Sequence, residues 1–94
     1  MNFSAAEAIA SQLVMEIVSD PQLLGDLMQS SGVSGADLRR LIDTPDIHPF
    51  VMNFAAQSDA LLVDLAQRIG AAPQDLAQAA ALLGGPGHHL WGDP

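Results

Sequence analysis

Residues 23–38 read LLGDLMQSSGVSGADL, and residues 61–76, thirty-eight positions later, read LLVDLAQRIGAAPQDL. Eight of the sixteen positions are identical: Leu23/Leu61, Leu24/Leu62, Asp26/Asp64, Leu27/Leu65, Gln29/Gln67, Gly32/Gly70, Asp37/Asp75 and Leu38/Leu76. The leucines recur at helical spacing, the glycine stands where a helix stops, and the later aspartate falls near the start of the next helix. The duplicated property is a way of folding, a pair of helix corners, and not a set of reactive groups.

The flanking residues supply the remaining helix signals. Asp20-Pro21 pairs an N-cap acid with a proline at the first helical position, where its missing N–H costs nothing, so a helix opens there and Gly32 closes it. Ser34 with Asp37 starts the next helix, which carries Leu38, Leu41 and Ile42. In the second copy Ser58 caps a helix whose stripe is Leu61, Leu62, Leu65 and Ile69 and whose stop is Gly70. Pro73 then begins a last helix that runs through Leu76, Ala79 and Ala80 to Leu83. Upstream, Ser4 followed by Glu7 has the form of a capping box, and Ile9, Ala10, Leu13, Val14, Ile17 and Val18 recur at helical spacing to about Ser19. Thr44-Pro45 has the form of another helix start. Pro49 follows four residues later and leaves the Pro45 carbonyl without its helical donor, which predicts a break or kink near His48 before helix resumes through Phe50, Val51, Phe54 and Ala55.

Extending the repeat upstream, residues 13–17 (LVMEI) resemble residues 50–54 (FVMNF), so each unit contains three helices, over about 4–43 and 44–83. Two copies are too few for an open solenoid, whose end faces would stay uncovered. The expected architecture is all-α: one compact six-helix domain over residues 1–83, built from two tandem three-helix units with approximate internal two-fold symmetry. The short connections favour steep helix crossings over a long parallel bundle. Gly84-Gly85-Pro86-Gly87 ends regular structure, and residues 84–94 read as a flexible tail.

Ninety-four residues suffice for one core and not for two with a cleft between them, which directs any function to the surface. Apolar residues make up 49% of the chain and aromatic ones only 4%, so that core is aliphatic. The net charge is −8, from eleven Asp and Glu against Arg39, Arg40 and Arg68, with no lysine. Such a surface repels phosphate backbones and anionic headgroups, disfavouring nucleic acid and membrane partners. The absence of cysteine excludes disulfides, thiolate zinc sites and a cysteine nucleophile together. The first twenty residues lack a basic start, carry Glu7 and Glu16, and make a poor secretory signal. No apolar run approaches the roughly 20 residues that cross a bilayer, and a soluble cytoplasmic protein is the expectation.

Four constellations bear on function. Residues 23–42 have the skeleton of a DNA-reading helix-turn-helix, with Arg39 and Arg40 on the second helix. The equivalent helix of the second copy holds Gln74, Asp75 and Gln78 and no basic residue, and any tight helix corner needs the same apolar spacing. His48, His88 and His89 offer three imidazoles, but two are adjacent in a glycine-rich tail and the third precedes a proline, so no dedicated metal site is expected. Ser30, Ser31 and Ser34 have no histidine nearby in sequence, and Asp26, Asp37, Asp64 and Asp75 fall at exposed or capping positions; no catalytic residue and no cofactor follow from them. Leu90 and Trp91, beyond the Gly-Pro-Gly hinge, are large apolar residues that folding leaves unexplained. They can cover a groove between the units or dock on a partner, tryptophan being enriched at binding hot spots.

From about Ala6 to Gly84 the chain resembles a family of short bacterial proteins, found mainly in alphaproteobacteria and described only as a domain of unknown function. The resemblance rests on Asp20-Pro21-x-x-Leu24, on the Gly32 turn followed by Ala36-Asp37-Leu38-Arg39, and on Asp59-Ala60-Leu61-Leu62 leading to Gly70. It implies an all-helical bacterial cytoplasmic protein and no site residues; Pro49 and the His-His-Leu-Trp tail depart from the family pattern. The leading functional expectation is a non-enzymatic helical module that binds another protein, or a second copy of itself, where the units meet, with Arg39, Arg40, Leu90 and Trp91 as candidate contacts. The alternatives are a weak DNA-binding regulator acting through the corner at 23–42, and a small-molecule or metal sensor.

Overall fold

The sequence places strong N-caps and left-handed glycine stops at short intervals, and the chain folds accordingly. A computed structural model describes residues 1–83 and contains six helices in that span: α1 (Phe3–Ser19), α2 (Pro21–Ser31), α3 (Gly35–Ile42), α4 (Ile47–Ala55), α5 (Asp59–Ile69) and α6 (Pro73–Leu83). There is no strand among the described residues. The predicted caps form where hydrogen-bond donors demand them: Asp20 Oδ1 accepts from the Gln22 and Leu23 N–H groups, Ser34 Oγ from Asp37, and Ser58 Oγ from Leu61. Gly32 and Gly70 close α2 and α5 with φ of 77° and 72°, the left-handed conformation in which a side chain is strained.

Two helix starts differ from the sequence reading. The cap of α1 is Asn2, whose Oδ1 accepts from Ala5 N–H at 2.7 Å, so Ser4 lies inside the first turn and does not serve as the cap. Asparagine is as good a cap as serine, and using it adds two residues of helix, Phe3 and Ser4, upstream. Thr44-Pro45 does not begin α4; Thr44 Oγ1 donates to the Leu41 carbonyl at 2.9 Å and helps to close α3. The Pro45 carbonyl accepts from His48 N–H in the intervening turn, and α4 starts at Ile47 with Pro49 in its first turn. A first-turn residue has no intrahelical acceptor for its N–H, so a proline there breaks nothing.

The core is aliphatic, as composition requires, with Leu13, Ile17, Leu27, Val51, Met52, Leu65 and Leu76 enclosed and no polar residue buried among those described. Phe54 is the one aromatic residue in it among those described. The most extensive helix contact is between α1 and α6, and both pack on α4; α2 and α5 flank this centre. The two units contribute unequally. Helix α6 buries Leu76, Ala79, Ala80 and Leu83, whereas α3, its counterpart in the first unit, buries only Leu38 and lies at the periphery. At the repeat positions of Ala79 and Ala80 the first unit has Leu41 and Ile42, both half-buried. The alanines permit the close approach that the larger pair prevents.

Candidate functional site

Packing α6 and α5 against α4 while α3 stays peripheral leaves an open groove between α2, α4, α5 and α6. Its volume is about 800 Å³, within the range that holds a peptide side-chain cluster or a small ligand. Leu27, Phe50, Phe54, Leu62, Ala77 and Ala80 supply the apolar lining, and Ser30, Asn53, Gln57 and Asp59 are among the polar residues at its edge. Residues of both sequence units meet there, α2 from the first and α4 to α6 from the second. A shallower depression lined by Asp26, Gln29, Ser30, Phe54, Gln57 and Leu61 adjoins it and shares Ser30, Phe54 and Gln57.

Of the lining residues, Leu27, Phe50, Phe54, Leu62 and Ala80 were visible in the sequence as helix-stripe residues and Ser58 as a cap. Phe50 and Leu62 belong to stripes wider than the core can cover, and both remain half-buried. That excess width is the signal a sequence reading could have used, but it does not say which helix stays away.

Arg39 and Arg40 lie on the exposed face of α3, apart from the groove, and the Arg40 guanidinium donates to Asp37 one turn earlier. Arg68 is held by three acids. Its Nε donates to Asp64 Oδ2 at 3.0 Å, and its Nη1 lies 3.0 Å from Asp20 Oδ2 and 3.5 Å from Glu16 Oε2, tying α5 to the α1–α2 corner. The Leu23 backbone N–H foremost, then the Gln22 N–H and Arg68, hold the Asp20 carboxyl below the usual carboxylate value, outweighing the opposite pull of desolvation. Asp64 foremost, and Asp20, raise the Arg68 guanidinium above its ordinary value against a smaller desolvation effect. Leu90 and Trp91, like His88 and His89, lie outside the described residues.

One arrangement has the order of a hydrolytic triad and was not apparent in the sequence. Ser11 Oγ stands 3.5 Å from His48 Nε2, and Glu7 Oε2 stands 3.9 Å from His48 Nδ1. Glu7 and Ser11 are one turn apart on α1, and His48 is in the first turn of α4, so only folding brings them together. Both separations exceed the 2.6–3.2 Å of a working nucleophile–base pair. Ser11 sits mid-helix, where neighbouring backbone N–H groups are committed to the helix and unavailable to stabilise an oxyanion. The cluster joins α1 to α4 as a polar tie. Among the described residues no three His, Asp or Glu side chains are grouped to hold a metal, and no helix is long and apolar enough to cross a membrane.

No curated protein matches the chain, and no solved structure does. The family "Protein of unknown function (DUF3572)" matches residues 4–86, which takes in all of α2 to α6 and all but the first residue of α1, and stops short of Leu90 and Trp91. The chain belongs to that family.

Proposed function

We propose that this protein is a non-enzymatic helical binding module of the bacterial cytoplasm, and that it engages a protein partner through the groove between α2, α4, α5 and α6. The observation that carries the reading is the pairing of an open volume of about 800 Å³ with an apolar lining contributed by four helices. A concave, mostly apolar hollow with a few polar groups at its edge is the usual form of a binding site. Phe50 and Leu62 are anchors for a large apolar side chain, while Asn53, Gln57 and Ser30 supply hydrogen-bonding groups at the edge. Arg39, Arg40, Leu90 and Trp91 are secondary contacts in this reading, the first two beyond the groove on α3.

Selection of binding peptides from a random library against the purified full-length protein tests it. Ala77 and Ala81 line the groove and are exposed, so changing both to Gln narrows it without disturbing the core. Selected peptides lose at least tenfold in affinity for that double variant and keep it for Gln12→Ala/Gln22→Ala, two exposed residues of α1 and α2 outside the groove. Unchanged affinity for the groove variant would sink the reading.

A further inference from the structure

The charge around the groove is one-sided. Glu7 faces His48; Glu16, Asp20 and Asp64 surround Arg68; Asp37 holds Arg40. Among the described residues Asp59, at the groove, and Asp26, in the adjoining depression, have no cationic partner, and no described Arg or His lines either hollow. Asp26 is on α2 and Asp59 opens α5, while Phe54 and Gln57 line the hollow beside each. An apolar lining flanked by uncompensated carboxylates on a chain of net charge −8 is complementary to one class of ligand.

We propose that the occupant of the groove is a cationic amphipathic helix of a partner protein, which seats two or three large apolar residues on Phe50, Phe54 and Leu62 and brings Lys or Arg to Asp26 and Asp59. This deepens the groove reading above and rests on it. An amphipathic helix presents apolar anchors at positions i, i+3 or i+4 and i+7, and places its charged residues at the margins of that stripe. The net negative charge steers such a helix toward the protein, and the two carboxylates fix where it settles. An anionic helix with the same apolar stripe meets repulsion over the whole surface.

The test is a fluorescence-anisotropy titration of the full-length protein with two labelled peptides of about eighteen residues, one Leu/Lys and one Leu/Glu, sharing the same helical apolar stripe. The Leu/Lys peptide binds and the Leu/Glu peptide does not. Exposed ion pairs are individually weak, so Asp26→Asn/Asp59→Asn reduces Leu/Lys affinity roughly threefold to tenfold at low salt, and the difference vanishes near 0.5 M salt. Asp43→Asn/Asp75→Asn removes the same charge away from the groove and has a smaller effect. Equal binding of the two peptides, or equal losses in the two double variants, overturns the cationic-helix proposal. If Ala77→Gln/Ala81→Gln leaves peptide binding untouched, the groove reading itself fails, a separate result. Concentration-dependent dimerisation abolished by Ala77→Gln/Ala81→Gln, or a tenfold gain in affinity for both peptides on Leu90→Ala/Trp91→Ala, identifies a second copy or the chain's own C-terminal segment as the occupant and overturns the proposal.

Discussion

The Arg68 guanidinium, on α5, donates at 3.0 Å to Asp20, the residue that caps α2 forty-eight positions earlier in the chain. One carboxylate therefore does two jobs: Oδ1 satisfies backbone N–H groups at the start of α2, and Oδ2 holds α5 against the α1–α2 corner. Because Glu16 and Asp64 share the same arginine, removing it leaves three acids close together as well as breaking the tie. Arg68→Met lowers the unfolding temperature, and the loss is larger at low salt than in 0.5 M salt because the contacts are partly exposed and screened. Thermal unfolding at the two ionic strengths checks it; a salt-independent loss would point to packing of the side-chain stem instead.

Acid stability follows from the same carboxylate. The folded protein holds the Asp20 carboxyl below its ordinary value, so between the two values the unfolded chain binds the additional proton. The stability this group contributes is therefore fully present above the unfolded value and is lost as pH falls through the folded one. Urea midpoints measured from pH 7 to pH 2 stay nearly level for this group's part down to about pH 5 and then fall. Asp20→Asn makes the protein less stable at neutral pH and flattens the acid limb relative to the parent.

Glycines in α2 and at its end behave oppositely. Gly32 has φ of 77° with open space around a would-be Cβ, so Gly32→Ala meets no neighbour and suffers only backbone strain, about 1–2 kcal/mol of destabilisation. Gly25 is exposed within α2 and has equally open surroundings, so Gly25→Ala stabilises by about 0.5–1 kcal/mol through the more restricted unfolded chain. Paired chemical denaturation of the two variants reads both signs.

What the sequence made legible was most of the local structure, though not the Asn2 cap of α1 or the start of α4. The caps made by Asp20, Ser34 and Ser58 and the stops made by Gly32 and Gly70 act through hydrogen bonds and φ angles within four residues of themselves, and each does in the fold what its neighbours in the chain require. Pro49 was misleading because its effect depends on which residue starts α4, a choice made by Thr44 closing α3 and by the turn through Pro45. The Ser11–His48–Glu7 cluster and the groove depend on contacts between helices distant in sequence. Nothing in residues 23–38 compared with 61–76 says that α6 enters the centre and α3 does not; that follows from Ala79 and Ala80 fitting where Leu41 and Ile42 cannot.

The Ser11–His48–Glu7 cluster makes a prediction about chemistry. With Ser11 Oγ at 3.5 Å from the imidazole and placed mid-helix, an activated ester finds neither a short proton path nor an oxyanion donor pair. Hydrolysis of p-nitrophenyl acetate by the parent protein is equal to that of Ser11→Ala. A loss of turnover in that variant would make the cluster catalytic.

Duplex DNA gives the corresponding check on α3. Arg40 is bonded to Asp37 and Arg68 to three acids, leaving Arg39 to offset a surface of net charge −8. Phosphate contacts supply most non-specific affinity, so a low-salt duplex titration shows no binding that Arg39→Ala/Arg40→Ala removes.

The unequal burial of the two units is measurable at one pair of matched positions. Leu38 and Leu76 are the same residue of the repeat and both are buried, at 3% and 0% exposure. Leu76 belongs to α6, packed on α1, α4 and α5, whereas Leu38 is the sole buried residue of peripheral α3. A cavity beneath a loosely held eight-residue helix collapses more readily than one at a three-helix junction, and the cost of truncation depends on that collapse. Leu76→Ala therefore costs about 4 kcal/mol and Leu38→Ala about 2 kcal/mol. Hydrogen exchange separates the cause from the magnitude: Leu38→Ala raises exchange chiefly within α3, while Leu76→Ala raises it throughout the domain. Equal costs and equal exchange patterns would mean that the two units are energetically equivalent despite their different packing.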